Sequence, residues 1–233
     1  MQKDTLLKGI FIGIAVVSIV SNLLMGLGIY FYPGGNFIDN TEEGFGFIYG
    51  ALSDLGRITA YNGEPNVVSR ILYTTAINIL SIAVILFYSI IWKFFRERKV
   101  TKWLSMVGSL FGITQGILYI VFAFSPADTA FSRHIMLIYV SPGFLIGSIL
   151  AYTIVFFIAK DFPRINAYSF LAMIIVAAMF ATAVTIGSIR KDMVFHASRR
   201  VGHTFFNFIV TFNYGIQALG AYLYVNYRKK ELL

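Results

Sequence analysis

Three histidines, His134, His196 and His203, are the side chains in this sequence best suited to hold a metal or move a proton. Three imidazole ligands on zinc leave a fourth position for a water that the metal would activate. His196 and His203 stand seven residues apart and share a face if one helix carries both. Asp54 and Asp128 would act as general base or orienting carboxylate, with Ser53 as a third catalytic candidate. Arg57, Arg199 and Arg200 suit a phosphate, because a guanidinium donates two parallel N–H bonds to it. This set describes a zinc-assisted hydrolase or transferase acting on a lipid. His134 and His203 alone would also suit haem. The same histidines would equally serve as hydrogen-bonding groups at helix ends.

A second pattern needs no catalysis. His196, Arg200, His203, Asn207, Thr211, Tyr214 and Gln217 recur three or four residues apart, a helical period drawn by polar residues. Asn66, Arg70, Thr74, Asn78 and Ser81 repeat it earlier, and Gln115 and Tyr119 add two more polar groups. Ahead of these stretches, in the first outer loop, runs Ser53-Asp54-Leu55-Gly56-Arg57, followed by a turn at Asn62-Gly63-Glu64-Pro65-Asn66. Phe47, Ile48, Ala51, Leu52, Leu55 and Ile58 fall at helical spacing. They predict a short amphipathic helix with Ser53, Asp54 and Arg57 on its polar side. Asn66 is the expected N-cap of the next helix.

The elements that must position these groups are membrane spans. The 233 residues are 58% hydrophobic and 13% charged, far from the composition of a soluble domain. Apolar runs at about 9–32, 71–92, 104–125, 136–159, 167–189 and 204–226 each match the roughly 20 residues that cross a bilayer, and none holds a charged residue or histidine. The expected fold is therefore all-α: one domain over residues 1–233, a bundle of six transmembrane helices with a long ordered outer loop at about 33–70. The first run is too long for a signal-peptide core and is read as a retained span.

With the N-terminus inside, the inner segments hold 12 basic and 4 acidic residues, and the outer segments hold 7 of each. Positive charge favours the cytoplasmic side, so both termini are expected there. The net charge of +8 then reports topology, and a nucleic-acid partner is not expected. Polar groups facing lipid are costly, so the stripes should line an outward-opening cavity between spans two, three and six. The ligand-binding candidates are Arg57, Glu64, Asn66, Arg70, Asn78, Gln115, Arg199, Arg200 and Asn207.

Gly108, Gly112 and Gly116 in span three, and Gly143 and Gly147 in span four, allow close helix approach within one chain or between copies in a homo-oligomer. Pro142 is expected to kink span four. There is no cysteine, which excludes disulfides and thiolate chemistry, and no Walker-type loop, dinucleotide fingerprint or H-E-x-x-H.

The S-D-L-G run at 53–56, the stretch Asn66, Ser69, Leu72 and Tyr73, the glycine-rich span three, and Asp128 and His134 resemble an uncharacterised prokaryotic family of six-span proteins, domain-of-unknown-function family 998. The Ser53-Asp54-x-Gly56 and Glu64-Pro65 segments more distantly resemble the DRAM and Frag-type membrane proteins of eukaryotes. The resemblance implies six helices and an outer site, and no particular reaction. Three functions follow from the sequence: binding of a membrane lipid or small amphiphile, the zinc-assisted lipid enzyme, and an oligomeric channel or transporter. The absence of ionisable groups within the spans weighs against proton-coupled transport.

Overall fold

A computed structural model of the chain describes the backbone of residues 2–190 and 193–228, and the side chains there except Lys3, Phe180, 183–199 and Arg228. Six long helices account for most of it: α1 (Gln2–Tyr30), α2 (Val67–Ile91), α3 (Lys99–Ala123), α4 (Phe131–Ile158), α5 (Arg164–Arg190) and α6 (Met193–Arg228). Five are long and apolar enough to cross a membrane: α1, α2, α3, α4 and, in α6, Arg200–Tyr227. The chain is thus built as an integral membrane protein. In α5 the described apolar stretch is Arg164–Met179, shorter than a full span. Each helix begins before its apolar run, because the flanking polar turns are helical too. α4 continues through Pro142 without a break.

Consecutive helices pack side by side, and α6 returns to α1, closing a ring. Glycines set the spacing of three of these helices. A Cβ at Gly112 would fall inside the Tyr88 ring of α2. One at Gly116 would stand 2.6 Å from Ile85, and one at Gly108 would stand 2.8 Å from Tyr152 of α4. Gly147 faces Phe111 with the same intimacy. These four glycines are therefore used within the chain, whereas Gly143 has nothing among the described residues within 4 Å of its missing Cβ.

Two apolar clusters fill the ring. At the end away from the long loop, Phe11, Phe87, Tyr88, Phe95, Tyr152, Phe156 and Phe162 interlock, with Phe156 and Phe162 stacked at 4.9 Å. At the loop end a smaller cluster joins Met25 and Tyr73 to loop residues Tyr32, Phe45, Leu52, Leu55 and Ala60. The loop is thus part of the core. Between α5 and α6, the Asn166 carboxamide donates to the Gln217 carbonyl at 2.9 Å and to its side-chain oxygen at 2.7 Å, while Gln217 donates to Ser169 at 2.7 Å. Gln217 therefore ties two helices together and does not extend the cavity-lining stripe.

The loop itself, 31–66, is an ordered cap. It turns at Gly35, whose φ of 77° and close approach to the Tyr61–Asn62 backbone exclude a side chain. Asn36 accepts from the amides of Ile38 and Asp39 at 2.8 and 3.0 Å, forming a tight polar turn. Paired backbone contacts at Gly34–Glu43 and Thr59–Pro65 close its two halves.

The expected amphipathic helix over 47–58 is replaced by one 3-10 turn, Leu52–Gly56, with all five residues buried. Ser53 and Asp54 face inward instead of away from the core, and the expected apolar face divides. Leu52 and Leu55 point in, while Phe47, Ile48 and Ile58 are exposed. The spacing marked only Leu52 and Leu55 of the expected apolar side correctly. It could not show that polar groups would be drawn to the end of a polar seam while apolar ones were free to meet lipid.

Candidate functional site

Asp54 is the centre of the loop end. It is 4% exposed, accepts the Ala51 amide at 2.7 Å, and faces Arg200 of α6 at 3.7 Å. Burial pushes its carboxyl above the usual carboxylate range, and the Ala51 amide, Arg200, Arg57 and His134 pull it back down. Arg200 also lies over the Phe37 ring at 5.7 Å. None of its five N–H groups makes a hydrogen bond among the described residues. Arg57 spends its Nε on the Thr59 carbonyl at 3.1 Å and stacks over Tyr61 at 3.9 Å, and its two terminal nitrogens have no hydrogen-bond partner among the described residues.

Three side chains fix this geometry. Asp128, between α3 and α4, accepts the amides of Ile58 and Thr59, both at 2.9 Å. It is a fastener of the loop, and its second oxygen is buried with no hydrogen-bond partner among the described residues. Asn66 occupies the N-cap position of α2 but makes no side-chain cap bond. Its carboxamide turns back to donate to the carbonyls of Leu55 at 2.9 Å and Arg57 at 3.0 Å. Those carbonyls would otherwise be buried unpaired, so they outcompete the helix end. His134 is buried, with Nδ1 donating to the Ser125 carbonyl at 2.7 Å and its ring 4.7 Å from Phe122. Arg133 braces the same turn through Ser125 Oγ at 2.8 Å.

Below Arg200 the polar face of α6 continues inward. Asn207 donates to the His203 carbonyl at 2.8 Å and approaches its Nε2 at 3.3 Å. Thr211 donates to Asn207, and Tyr214 donates to Gln115 at 3.3 Å. Ser81, Gln115, Tyr119, Asn207, Thr211 and Tyr214 meet around a narrow cleft between α1, α2, α3 and α6. Its free volume of about 20 Å³ is water-sized and far below that of a lipid. The stripes therefore converge as a closed polar seam, not as an open cavity. The aromatic layer around Tyr88 and Tyr152 lies beyond it.

Of the sequence candidates, Asp54, Arg57, His134 and Arg200 stand together, and Ser53 and Asp128 lie in the same cap. Gln115, Asn207 and His203 belong to the seam. Arg70 is half-buried in the first turn of α2, and no hydrogen bond or ion pair reaches its side chain among the described residues. Asn78 donates to Thr74 of its own helix at 2.8 Å. Glu64 is exposed in the turn.

The side chains of His196 and Arg199 lie outside the described residues, so the three-histidine zinc arrangement does as well. Among the described residues, no three of His, Asp and Glu stand close enough to share a metal. Sequence reasoning missed Phe37 and Tyr61, the aromatic partners of the two arginines. Their only signal was their place in the same loop as Arg57. The chain matches no family model, no curated protein and no solved structure.

Proposed function

We propose that this chain crosses the membrane six times with both termini in the cytoplasm, and that its loop-capped end binds a membrane lipid or small amphiphile by the headgroup. The carrying observation is Arg200, a guanidinium at the head of a polar seam whose N–H groups have no hydrogen-bond partner among the described residues. A donor set of this kind is a recognition group waiting for an acceptor. Phe37 lies against Arg200, and with Ile38, Phe47 and Ile48 of the same loop it offers acyl chains exposed apolar side chains on the cap. The cleft is too small to admit a headgroup, so the headgroup docks at the cap, with tails left in the bilayer. The resemblance to family 998 joins this reading as a layout of six spans with an outer site.

The test uses the full chain in nanodiscs holding a phospholipid with a photoreactive group near its headgroup. Crosslinks are expected to concentrate on Phe37, Tyr61 and α6 around Arg200. An even spread over the lipid-facing belt would contradict the site. In intact cells, single cysteines placed at Thr41 and at Arg98 in this cysteine-free chain should react with an impermeant maleimide only at 41. Equal labelling at both positions would contradict the topology.

A further inference from the structure

The arrangement around Asp54 says what charge the ligand carries. Arg57, Arg133 and Arg200 meet two carboxylates here, and the Asp128 carboxylate is already taken by two backbone amides. Arg133 is turned away onto Ser125. That leaves Asp54 as the counter-anion for Arg57 and Arg200, yet it satisfies neither. It approaches Arg200 at 3.7 Å, beyond hydrogen-bond length, and its strong bond goes to the Ala51 amide. Two guanidinium groups with spare donors around one buried carboxylate is an anion site filled from within the chain.

Resting on the reading above, we propose that the headgroup is anionic, a phosphate or a carboxylate, and that it binds by taking Arg200 and Arg57 from Asp54. The Asp54 carboxylate in the closed cap holds the place of the ligand's anion. Displaced from its cations in a buried setting, it takes up one proton from solvent as the anion arrives. The groups facing it are Arg200 from α6, His134 from α4, Tyr73 from α2, and Arg57, Tyr32 and Tyr61 from the loop. Lower pH neutralises Asp54, frees the arginines and tightens anion binding. His134 is a second titratable group facing this carboxylate, so an Asp54 variant is needed to separate the two.

The experiment titrates the purified full chain with phosphatidylglycerol, phosphatidylcholine and diacylglycerol of identical chains, read by native mass spectrometry. Phosphatidylglycerol keeps one negative charge between about pH 5 and 8, so its own titration does not intrude. It is expected to bind about tenfold tighter than diacylglycerol, with Arg200→Gln erasing the difference. Asp54→Asn should tighten phosphatidylglycerol binding and flatten its pH dependence. Because Asp54→Asn predicts a gain, misfolding cannot mimic it.

Inorganic phosphate added as competitor separates the sources. If millimolar phosphate displaces the lipid, a free anion suffices. If phosphate fails while phosphatidylglycerol binds, the lipid headgroup is the ligand. Equal binding of phosphatidylglycerol and diacylglycerol would overturn the anionic inference and leave amphiphile binding standing. Binding of phosphate with no lipid would keep the anion and overturn the amphiphile. Weaker binding in Asp54→Asn, matching Arg200→Gln, would overturn the competition.

Discussion

Replacing Gly112 by alanine is expected to destabilise the protein by about 3 kcal/mol, a fall of roughly 6–12 °C in melting temperature. The added methyl would occupy the Tyr88 ring, and that ring has nowhere to go. Tyr88 is fully buried, packs on Phe87 at 5.2 Å and Tyr152 at 5.5 Å, and shares a hydrogen bond with Ser148. Moving it would also strain the bond from Ser109 to the Tyr88 carbonyl, 2.7 Å long, which ties α3 to α2. The helix propensity gained by replacing glycine offsets at most about 1 kcal/mol. Gly143→Ala is the control: its Cβ meets nothing among the described residues, so that variant should melt at or slightly above the wild-type temperature. Thermal melts of the two purified variants check the pair. Equal melting of Gly112→Ala and wild type would contradict the α2–α3 packing.

Replacing Asn66 by alanine acts on the loop instead of the bundle. It removes two hydrogen bonds and leaves the Leu55 and Arg57 carbonyls short of a donor. The expected cost is about 2–4 kcal/mol of local stability, or roughly 30- to 700-fold faster opening. The backbone bond from Asn66 to Ile58 survives, and its buried Oδ1 has no partner among the described residues to lose. Limited proteolysis should therefore cut within 31–66 much faster, while the bundle melts close to wild type. Cleavage at the wild-type rate would show that the carboxamide does not hold the cap.

What the sequence made legible follows from the physics each signal carries. Spans stand out because hydrocarbon demands about 20 apolar residues, and their ends were blurred because flanking polar turns can be helical too. The stripes on α2 and α6 were visible by period, and they do face inward at Ser81, Asn207, Thr211 and Tyr214. How far they stand apart was not visible. Much of that polarity is spent on neighbouring backbone, as in Asn207 to His203 and Asn78 to Thr74. Period could not separate Gln217, which faces α5, from Tyr214, which faces Gln115.

The cap shows the deeper limit. Asp54, Arg57, His134 and Arg200 were each singled out by residue type, and the fold brings them together. The inward turn of Asp54 depends on Asn66 and Asp128 gripping the backbone at 55–59, long-range contacts that no local pattern encodes. Asn66 was read as a helix cap because only its local role was visible.

Hydrogen exchange across 51–66 and α6, on the full chain with and without phosphatidylglycerol, tests the central claim most directly. The account predicts slow exchange at Ile58, Thr59 and Asn66 in the ligand-free protein, where each amide has a partner. Lipid should then change exchange at 51–66 and around Arg200, and leave α1 near Phe11 unaltered. Fast exchange throughout 51–66, or lipid binding that leaves this segment untouched, would contradict it.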